Sequence, residues 1–523
     1  MLVSCPLLPR DDSQRYFALS YVWGTADFFK TTRSNVDSLS QPGGLDQPHI
    51  SLPNTFRDAM KLVEQVGERY IWIDALCIVQ DDKMKHDQLN IMDQIYGRAY
   101  LTIVSLAGNN VHYGLPGVHL TERKKRPLRG HFKGGDFITA LPSLQQAIQK
   151  SPHFSRAWTF QETLLSQRCL FVSEGQLFFR CPRDSFAEGP DWQAKISPGI
   201  SFQLGLASTR NWHQDIYHSS VEQYTQRYLS YDEDILNAFM GALERMKYMG
   251  YHSRGDMILD LPAPDSLLWF SVDRNASRRS RSANSEDLFP SWSWVGWEGA
   301  VTYASLKFGR NISTFTATLR SRDHVKLCGE ETFSSLPQVD RVDSEPFCTK
   351  PHCSRLLQLP TGEYRTSSRN PGANLLHLHL YRFCASVCAA SKFTLSSWGN
   401  YAHSKSTPHI NIALLQILDE KGKKCGAFFN PPLASLETSE LYKYALVAIS
   451  MKKQYDWLED ISTPDYDTKD PVENSVSGCG CWLNVMLVRF SMYDGITERM
   501  AIGQMHPRAF VEAEPVVEMI TLM

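Results

Sequence analysis

The chain has 523 residues, of which 42% are hydrophobic and 21% charged, a composition typical of a folded protein with two or three domains. Its net charge of -2 provides no general attraction to nucleic acid or to acidic membranes, so no nucleic-acid partner is expected. No run of 18 apolar residues occurs, which argues against a membrane span. The opening stretch, MLVSCPLLPRDD, lacks the basic segment of a secretory signal, and we therefore expect a cytoplasmic protein.

Strand and helix patterns alternate through the first third of the chain. The stretches YFALSYVWG (16–24), YIWID (70–74) and AYLTIVSLAG (99–108) have the apolar, aromatic and β-branched character of strands. Between them, apolar residues recur at helical spacing after Ser51 and again in HDQLNIMDQIYGRA (86–99). Such alternation predicts a parallel sheet with covering helices, an α/β fold.

The patterns change after this region. RAWTFQETLL (156–165) predicts a helix followed by two short strands, and the Trp-rich FPSWSWVGWEGA (289–300) predicts a bent strand. Four strand-like stretches then dominate the C-terminal part, which we expect to be β-rich with some helix. These changes divide the chain into a first domain over 1–175, a mixed connecting region over 176–300 and a β-rich region over 301–523.

Several chemically active side chains follow the predicted strands. Ligands of open α/β sheets bind beyond the carboxyl ends of the strands, where this sequence places Trp23, Gly24 and Asp74. On the helix that starts near 156, Trp158 and Glu162 lie four residues apart and share a face. We therefore expect Trp158 to be largely buried and Glu162 to point toward the strand ends, where Glu162 would approach Trp23 and Asp74.

Four ordered stretches, ALSYVWG, LPNTFRDAM, YIWIDALCIVQDD and RAWTFQETLLSQR, resemble the signature blocks of the fungal heterokaryon incompatibility (HET) domain over residues 16–172. The third block departs from the family pattern, since Val79 replaces an acid. The resemblance implies a role in allorecognition between fungal strains and in the cell death that follows fusion of incompatible hyphae. It also implies a fold distantly similar to Toll/interleukin-1 receptor (TIR) domains.

Several TIR-like proteins cleave NAD with a Glu in the pattern Trp-x-x-x-Glu-Leu, and here Trp158 and Glu162 match while Leu164 comes one position late. The resemblance thus implies that Glu162 is catalytic, that Asp74 orients ribose hydroxyls and that Trp23 stacks on a ring, with Gly24 and Trp158 completing the substrate site. No metal and no cofactor is expected, and NAD enters as the substrate.

Each of these residues also has a structural interpretation. Asp74 is equally suited to cap the helical turn that begins at Ala75, and a tryptophan is more often a packing residue than a stacking platform. Glu162 is as compatible with a surface helix position as with catalysis. Gly24 suits a tight turn.

The alternative function is a non-catalytic interaction module that signals incompatibility by self-association or by binding an allelic partner. In that interpretation the Trp-rich stretch WSWVGW and the β-rich region supply the binding surfaces. The cysteine pattern CTKPHC (348–353) lacks a second tight pair that would complete a zinc site.

Overall fold

The computed structural model describes residues 14–82, 91–118, 121–123, 129–132, 135–139, 141–188, 212–229, 231–248, 267–273, 276–279, 289, 291–303, 309–311, 318–321, 381–390, 394–403, 411–431, 442–453, 481–491 and 497–522. Its helices are α1 (Val36–Leu39), α2 (Asn54–Gln65), α3 (Asp74–Cys77), α4 (Met92–Arg98), α5 (Leu144–Gln149), α6 (Trp158–Leu165), α7 (Trp212–Thr225), α8 (Asn237–Tyr248) and α9 (Pro507–Glu512). No helix in this part of the chain is long and apolar enough to cross a membrane.

The chain forms two compact units, and it passes between them more than once. The first unit contains residues 1–210 and 227–250, and the second contains residues 211–226 and 251–523. Helix α7 therefore belongs to the second unit, whereas α8, which follows it in sequence, belongs to the first. The domain boundaries expected near 175 and 300 stay predictions.

The first unit is built on a mixed sheet. Its strands are β1 (Phe17–Ser20), β2 (Ile71–Trp72), β3 (Leu101–Ser105), β4 (Arg129–Phe132), β5 (Gly135–Ile138), β6 (Cys169–Val172), β7 (Leu177–Arg180) and β8 (Ser185–Ala187). Among the described residues, six of them pair in the order β2-β1-β3-β6-β7-β8, while β4 and β5 form a separate hairpin.

Four neighbouring strands of this sheet, β2, β1, β3 and β6, run parallel, as the strand–helix alternation predicts. The last two strands are antiparallel, because only residues 173–176 separate β6 from β7 and so short a connection can join only antiparallel strands. The predicted α/β fold with covering helices is confirmed, and the sheet is mixed.

The side chains of β1 point alternately to the two faces of the sheet, and a separate part of the core of the first unit lies on each face. Phe17, Leu19 and Tyr21 pack with Phe56 and other apolar residues of α2 on one face of the sheet. Ala18 packs on the opposite face among residues of α4 and α6. Since successive side chains of a strand point to opposite faces, Ser20 belongs with Ala18 on the face covered by α4 and α6.

Helix α8 covers α6 within the first unit. The ring of Phe239 stacks on Phe160 with 5.8 Å between the ring centroids. The backbone N–H of Gly241 donates to the side-chain oxygen of Gln161 at 3.1 Å. A Cβ at position 241 would lie 2.7 Å from Leu165, so a glycine permits this close approach of the two helices.

The second unit is rich in strands, which confirms the β-rich C-terminal region. They are β9 (Trp269–Ser271), β10 (Val301–Tyr303), β11 (Gly309–Asn311), β12 (Thr318–Ser321), β13 (Tyr381–Ala390), β14 (Thr394–His403), β15 (Asn411–Leu418), β16 (Lys424–Phe429), β17 (Tyr442–Lys453), β18 (Cys481–Ser491), β19 (Thr497–Met505) and β20 (Val516–Leu522). In the described part of the chain, ten of them form one sheet whose pairs are antiparallel, apart from a short parallel contact between β19 and β20.

The Trp-rich stretch differs from its prediction in two ways. Residues Trp294–Gly296 form a short 3-10 helix rather than a bent strand. The side chains of Trp292, Trp294 and Trp297 are buried in the second unit, and the indole N–H of Trp294 donates to the hydroxyl of Tyr217 at 3.0 Å. The three indoles are therefore core residues and do not provide the binding surface expected of them.

Candidate functional site

The carboxyl end of β1 lies at a reversal of strand order. The chain leaves β1 toward β2 on one side and leaves β3 toward β6 on the other side. In open α/β sheets this arrangement opens a crevice between the two strands, and ligands bind there. Ser20 is the last residue of β1, and Tyr21 and Trp23 follow directly, so all three lie at this edge.

Three buried side chains are joined by hydrogen bonds, with Ser20 in the middle. The Ser20 hydroxyl donates to Glu162 Oε2 at 2.5 Å and lies 2.6 Å from His153 Nε2. His153 comes from the short helix Pro152–Ser155 and Glu162 from α6, and each is at most 7% exposed. As expected, Glu162 points toward the strand ends.

Burial dominates the electrostatics of Glu162. It raises the pKa of this carboxyl from its ordinary value of 4.5 to about 7, and the charge of Asp74 acts in the same direction. The hydrogen bond from Ser20, the positive charge of Arg156 and the hydroxyl of Tyr96 act in the opposite direction. Glu162 is therefore close to half ionised at neutral pH, which suits a residue that must change charge during a reaction.

His153 is held neutral. Burial lowers the pKa of its imidazole well below 6.5, and the nearby charges of Arg227 and Arg156 lower it further. His153 also lines a small cavity with room for about one water molecule, together with Leu106, Ile148, Thr163, Phe171, Arg180 and Arg227. Glu162, Asp74 and Trp23 do not line this cavity.

Asp74 organises a second cluster on the other side of β1. Its carboxylate accepts hydrogen bonds from the Tyr21 hydroxyl at 2.6 Å, from Trp23 Nε1 at 2.8 Å and from the backbone N–H of Ala75 at 2.7 Å. Asp74 is the first residue of α3 and its carboxylate binds the next N–H of that turn, while its predicted contact with ribose hydroxyls stays a prediction. Burial raises the pKa of Asp74, although part of its surface remains exposed.

The two predicted tryptophans have different surroundings. The Trp23 ring packs edge-on against Phe28 with centroids 5.3 Å apart, and the Lys30 ammonium lies 5.4 Å from its ring centroid. Its indole is half-buried and keeps one surface at the strand edge. Trp158, the first residue of α6, is also half-buried, with most of its surface covered, in agreement with the expectation that it is largely buried.

Arg156 links the two clusters. Its Nη1 donates to the backbone carbonyl of Tyr21 at 2.9 Å, and its positive charge lowers the pKa of both Asp74 and Glu162. The two acids therefore share one cation at the end of β1, while their side chains approach from opposite faces of the sheet.

Gly24 ends the segment that follows β1 and allows two backbones to approach closely. Its φ of +76° lies in the left-handed region, and a Cβ there would lie 2.4 Å from Asn110 Cβ and 2.9 Å from Asn110 Cα. The turn and the close approach both require glycine. Its predicted contact with substrate stays a prediction.

Gly24→Ala is expected to lower the free energy of unfolding by about 2–4 kcal/mol, because the left-handed conformation and the clash with Asn110 both oppose a methyl group. Gly67→Ala is the matched control, since Gly67 has a φ of +80° with no atom within 4 Å of the added Cβ, and should lose only about 1 kcal/mol. Urea unfolding of both variants measures the difference. Equal losses would show that the Asn110 segment yields freely.

Sequence reasoning missed Ser20, Tyr96, His153 and Arg156 as parts of the site. Ser20 carried a signal, since it is the one aliphatic hydroxyl residue in the run FALSYV (17–22) that forms the strand and its end. His153 carried none, because 133 positions separate it from Ser20 and only the fold brings them together. Among the described residues, no group of three or more His, Cys, Asp or Glu side chains is arranged to hold a metal ion.

Residues 16–162 match the family model described as heterokaryon incompatibility protein (HET). The chain carries a HET domain. Every residue of the two clusters, from Ser20 to Glu162, lies inside the matched span, and the match supports a general role in heterokaryon incompatibility. No curated protein and no solved structure matches the chain.

Proposed function

We propose that this HET-domain protein is an effector of fungal non-self recognition, which triggers cell death by hydrolysing the bond between nicotinamide and ribose in NAD. The observation that carries the proposal is the position of Glu162, a buried carboxylate at the end of β1 whose pKa is about 7. A carboxylate at the crevice of an α/β sheet is suited to stabilise positive charge on a bound sugar.

The reaction needs such a group because the sugar becomes positively charged as the bond breaks. The electron pair of the bond leaves with the nicotinamide nitrogen, and the ribose carbon passes through an oxocarbenium-like state. Water then adds to that carbon and loses a proton. Ionised Glu162 stabilises the developing charge, and its low exposure strengthens the effect because little water screens the carboxylate.

The second cluster is suited to hold the ribose. An ionised carboxylate has about four acceptor positions, and Tyr21, Trp23 and Ala75 occupy three of them on Asp74. The remaining position is available to a ribose hydroxyl. The half-buried ring of Trp23, bound to Asp74 through its indole N–H, offers a surface for stacking, and Gly24 and Trp158 are the other residues proposed for this site.

The test uses the purified full-length chain incubated with NAD. Release of nicotinamide and ADP-ribose in equal amounts, measured by liquid chromatography, is the expected result, and expression in fungal cells should deplete NAD as the cells die. Cell death with an unchanged NAD level would overturn the enzymatic proposal and leave the incompatibility role intact.

One observation favours the alternative, a non-catalytic module that acts by self-association or by binding an allelic partner. Glu162 is only 7% exposed, and a buried acid can serve to fix α6 against β1 without touching a ligand. Such a module would lack the Trp-rich stretch as a binding surface, because its three indoles are buried.

A further inference from the structure

Ser20 occupies the middle of a chain of three hydrogen-bonding groups. Its oxygen lies 2.5 Å from Glu162 Oε2 and 2.6 Å from His153 Nε2, and Ser20 itself has no exposed surface. A serine hydroxyl has one proton to donate, so it can donate to only one of these neighbours at a time. The other neighbour must then donate to the Ser20 oxygen.

The charge on Glu162 determines the direction in which the hydrogen bonds between Glu162, Ser20 and His153 run. When Glu162 is ionised it can only accept, so Ser20 donates to it and His153 must carry its proton on Nε2. When Glu162 is protonated it donates to Ser20, Ser20 donates to His153 Nε2, and the imidazole proton lies on Nδ1. The imidazole is neutral in both arrangements, in agreement with its lowered pKa.

Three further titratable or charged groups surround Glu162. The titratable or charged groups that act on it are Tyr96 from α4, Asp74 from α3 and Arg156 ahead of α6. The hydroxyl of Tyr96 donates to the carbonyl of Leu19 at 3.1 Å and is also close enough to Glu162 to lower its pKa by a hydrogen bond. Gly241 of α8 lies against Gln161 and Leu165 of α6 and Asp93 of α4, of which only Asp93 is an acid.

We infer that Ser20 and His153 form a proton relay that charges and discharges Glu162 through the small cavity lined by His153. Protonated Glu162 passes its proton to the Ser20 oxygen, the Ser20 hydroxyl proton moves to His153 Nε2, and the Nδ1 proton leaves to a water molecule in the cavity. Each intermediate group gains one proton and loses one. The inference rests on the proposed role of Glu162 for its purpose, whereas its chemistry requires no substrate.

The relay makes a spectroscopic prediction for the substrate-free protein. In the full-length chain labelled with ¹⁵N-histidine and ¹³C-glutamate, the His153 tautomer should change from Nδ1–H to Nε2–H as the pH rises. The change should coincide with ionisation of the Glu162 carboxyl. His153→Gln and Glu162→Gln assign the two signals. A tautomer that stays the same while Glu162 titrates would overturn the relay.

Variants at Ser20 separate a relay from simple packing. Ser20→Ala should uncouple the two signals and weaken ionisation of Glu162 by roughly 10–100-fold, because it removes one charge-assisted hydrogen bond. Ser20→Thr retains the hydroxyl and should restore the coupling. Ser105→Ala is the matched control, since Ser105 is a buried serine at the end of the neighbouring strand β3 whose hydroxyl bonds only weakly, to the Ala107 carbonyl at 3.3 Å. Coupling that survives Ser20→Ala in a folded variant would contradict the relay.

NAD hydrolysis provides a second test of the relay, and its outcome is independent of the tautomer measurement. If the protein cleaves NAD, Ser20→Ala should move the pH dependence of kcat toward alkaline pH while KM changes little, and Ser20→Thr should restore it. If the protein leaves NAD intact, the proposed function fails, and the tautomer measurement still decides whether the relay exists.

Discussion

Glu162→Gln is expected to abolish NAD hydrolysis and cell death while making the folded protein more stable at neutral pH. The amide retains the size of the side chain and can still accept the Ser20 hydrogen bond, but it has no charge to stabilise an oxocarbenium-like state. Loss of one such electrostatic group costs about 10²–10³ in rate. A stable variant with full activity would remove Glu162 from the proposed mechanism.

The gain in stability follows from the raised pKa of Glu162. In the unfolded chain this carboxyl ionises near 4.5 and in the folded chain at about 7, so the folded state binds the proton more tightly. The resulting stabilisation is complete below pH 4.5 and is lost as the pH rises through about 7, a difference of roughly 3 kcal/mol. Glutamine has no charge to bury, so the variant should not lose stability over this range.

Urea unfolding at pH 5 and pH 8 measures this effect, and the advantage of Glu162→Gln over the parent chain should grow between the two values. Glu64→Gln is the matched control, because Glu64 is a helical glutamate whose side chain is 71% exposed and forms a surface ion pair with Lys61. It should change neither activity nor the pH dependence of unfolding. A similar response of both variants would mean that burial of Glu162 is not the cause.

Asp74→Ala is expected to destabilise the protein by about 2–5 kcal/mol, because it leaves the Tyr21 hydroxyl and the Trp23 indole N–H without their acceptor. Asp74→Asn should cost less, since one amide oxygen remains to accept, although its NH₂ group must then face a donor. The free energy of unfolding of both variants, measured in urea, checks the order.

Asp37→Ala serves as the control for Asp74→Ala. Asp37 also lies in the first turn of a four-residue helix, α1, but its side chain is exposed, whereas Asp74 is half-buried and accepts three hydrogen bonds. Its replacement should change the free energy of unfolding by no more than about 0.5 kcal/mol. An equal loss from both substitutions would assign the effect to the helical turn instead of the buried cluster.

The sequence predicted the first domain well where local patterns determine structure. The apolar runs that became β1, β2 and β3 are bounded by helices with a clear periodicity, and this alternation leads to parallel pairing. The two short strands expected around Glu174 and Gly175 are β6 and β7. The Trp-rich stretch was misjudged because aromatic residues favour strands, interfaces and cores alike, and only packing decides among them.

Only part of the candidate site could be predicted, because the order of the strands determines some of its contacts and the packing of helices determines the others. Asp74 and Trp23 follow strands that end at one edge, so the rule for α/β sheets is enough to bring them together from the order of the residues. The chain from His153 through Ser20 to Glu162 depends on how α6 and the short helix at 152–155 pack on β1. The spacing of these three residues in the sequence does not predict that packing.

The return of the chain to the first unit limits how the HET domain can be excised or transferred. A recombinant fragment that ends at residue 175 contains the whole matched span but lacks α8, and so it exposes Phe160 and leaves Gln161 without its bond to Gly241. A fragment that ends at residue 250 retains both. Gene fusions that move residues 16–162 alone into another protein would need a host helix to replace α8, and shuffling of this domain during evolution faces the same requirement.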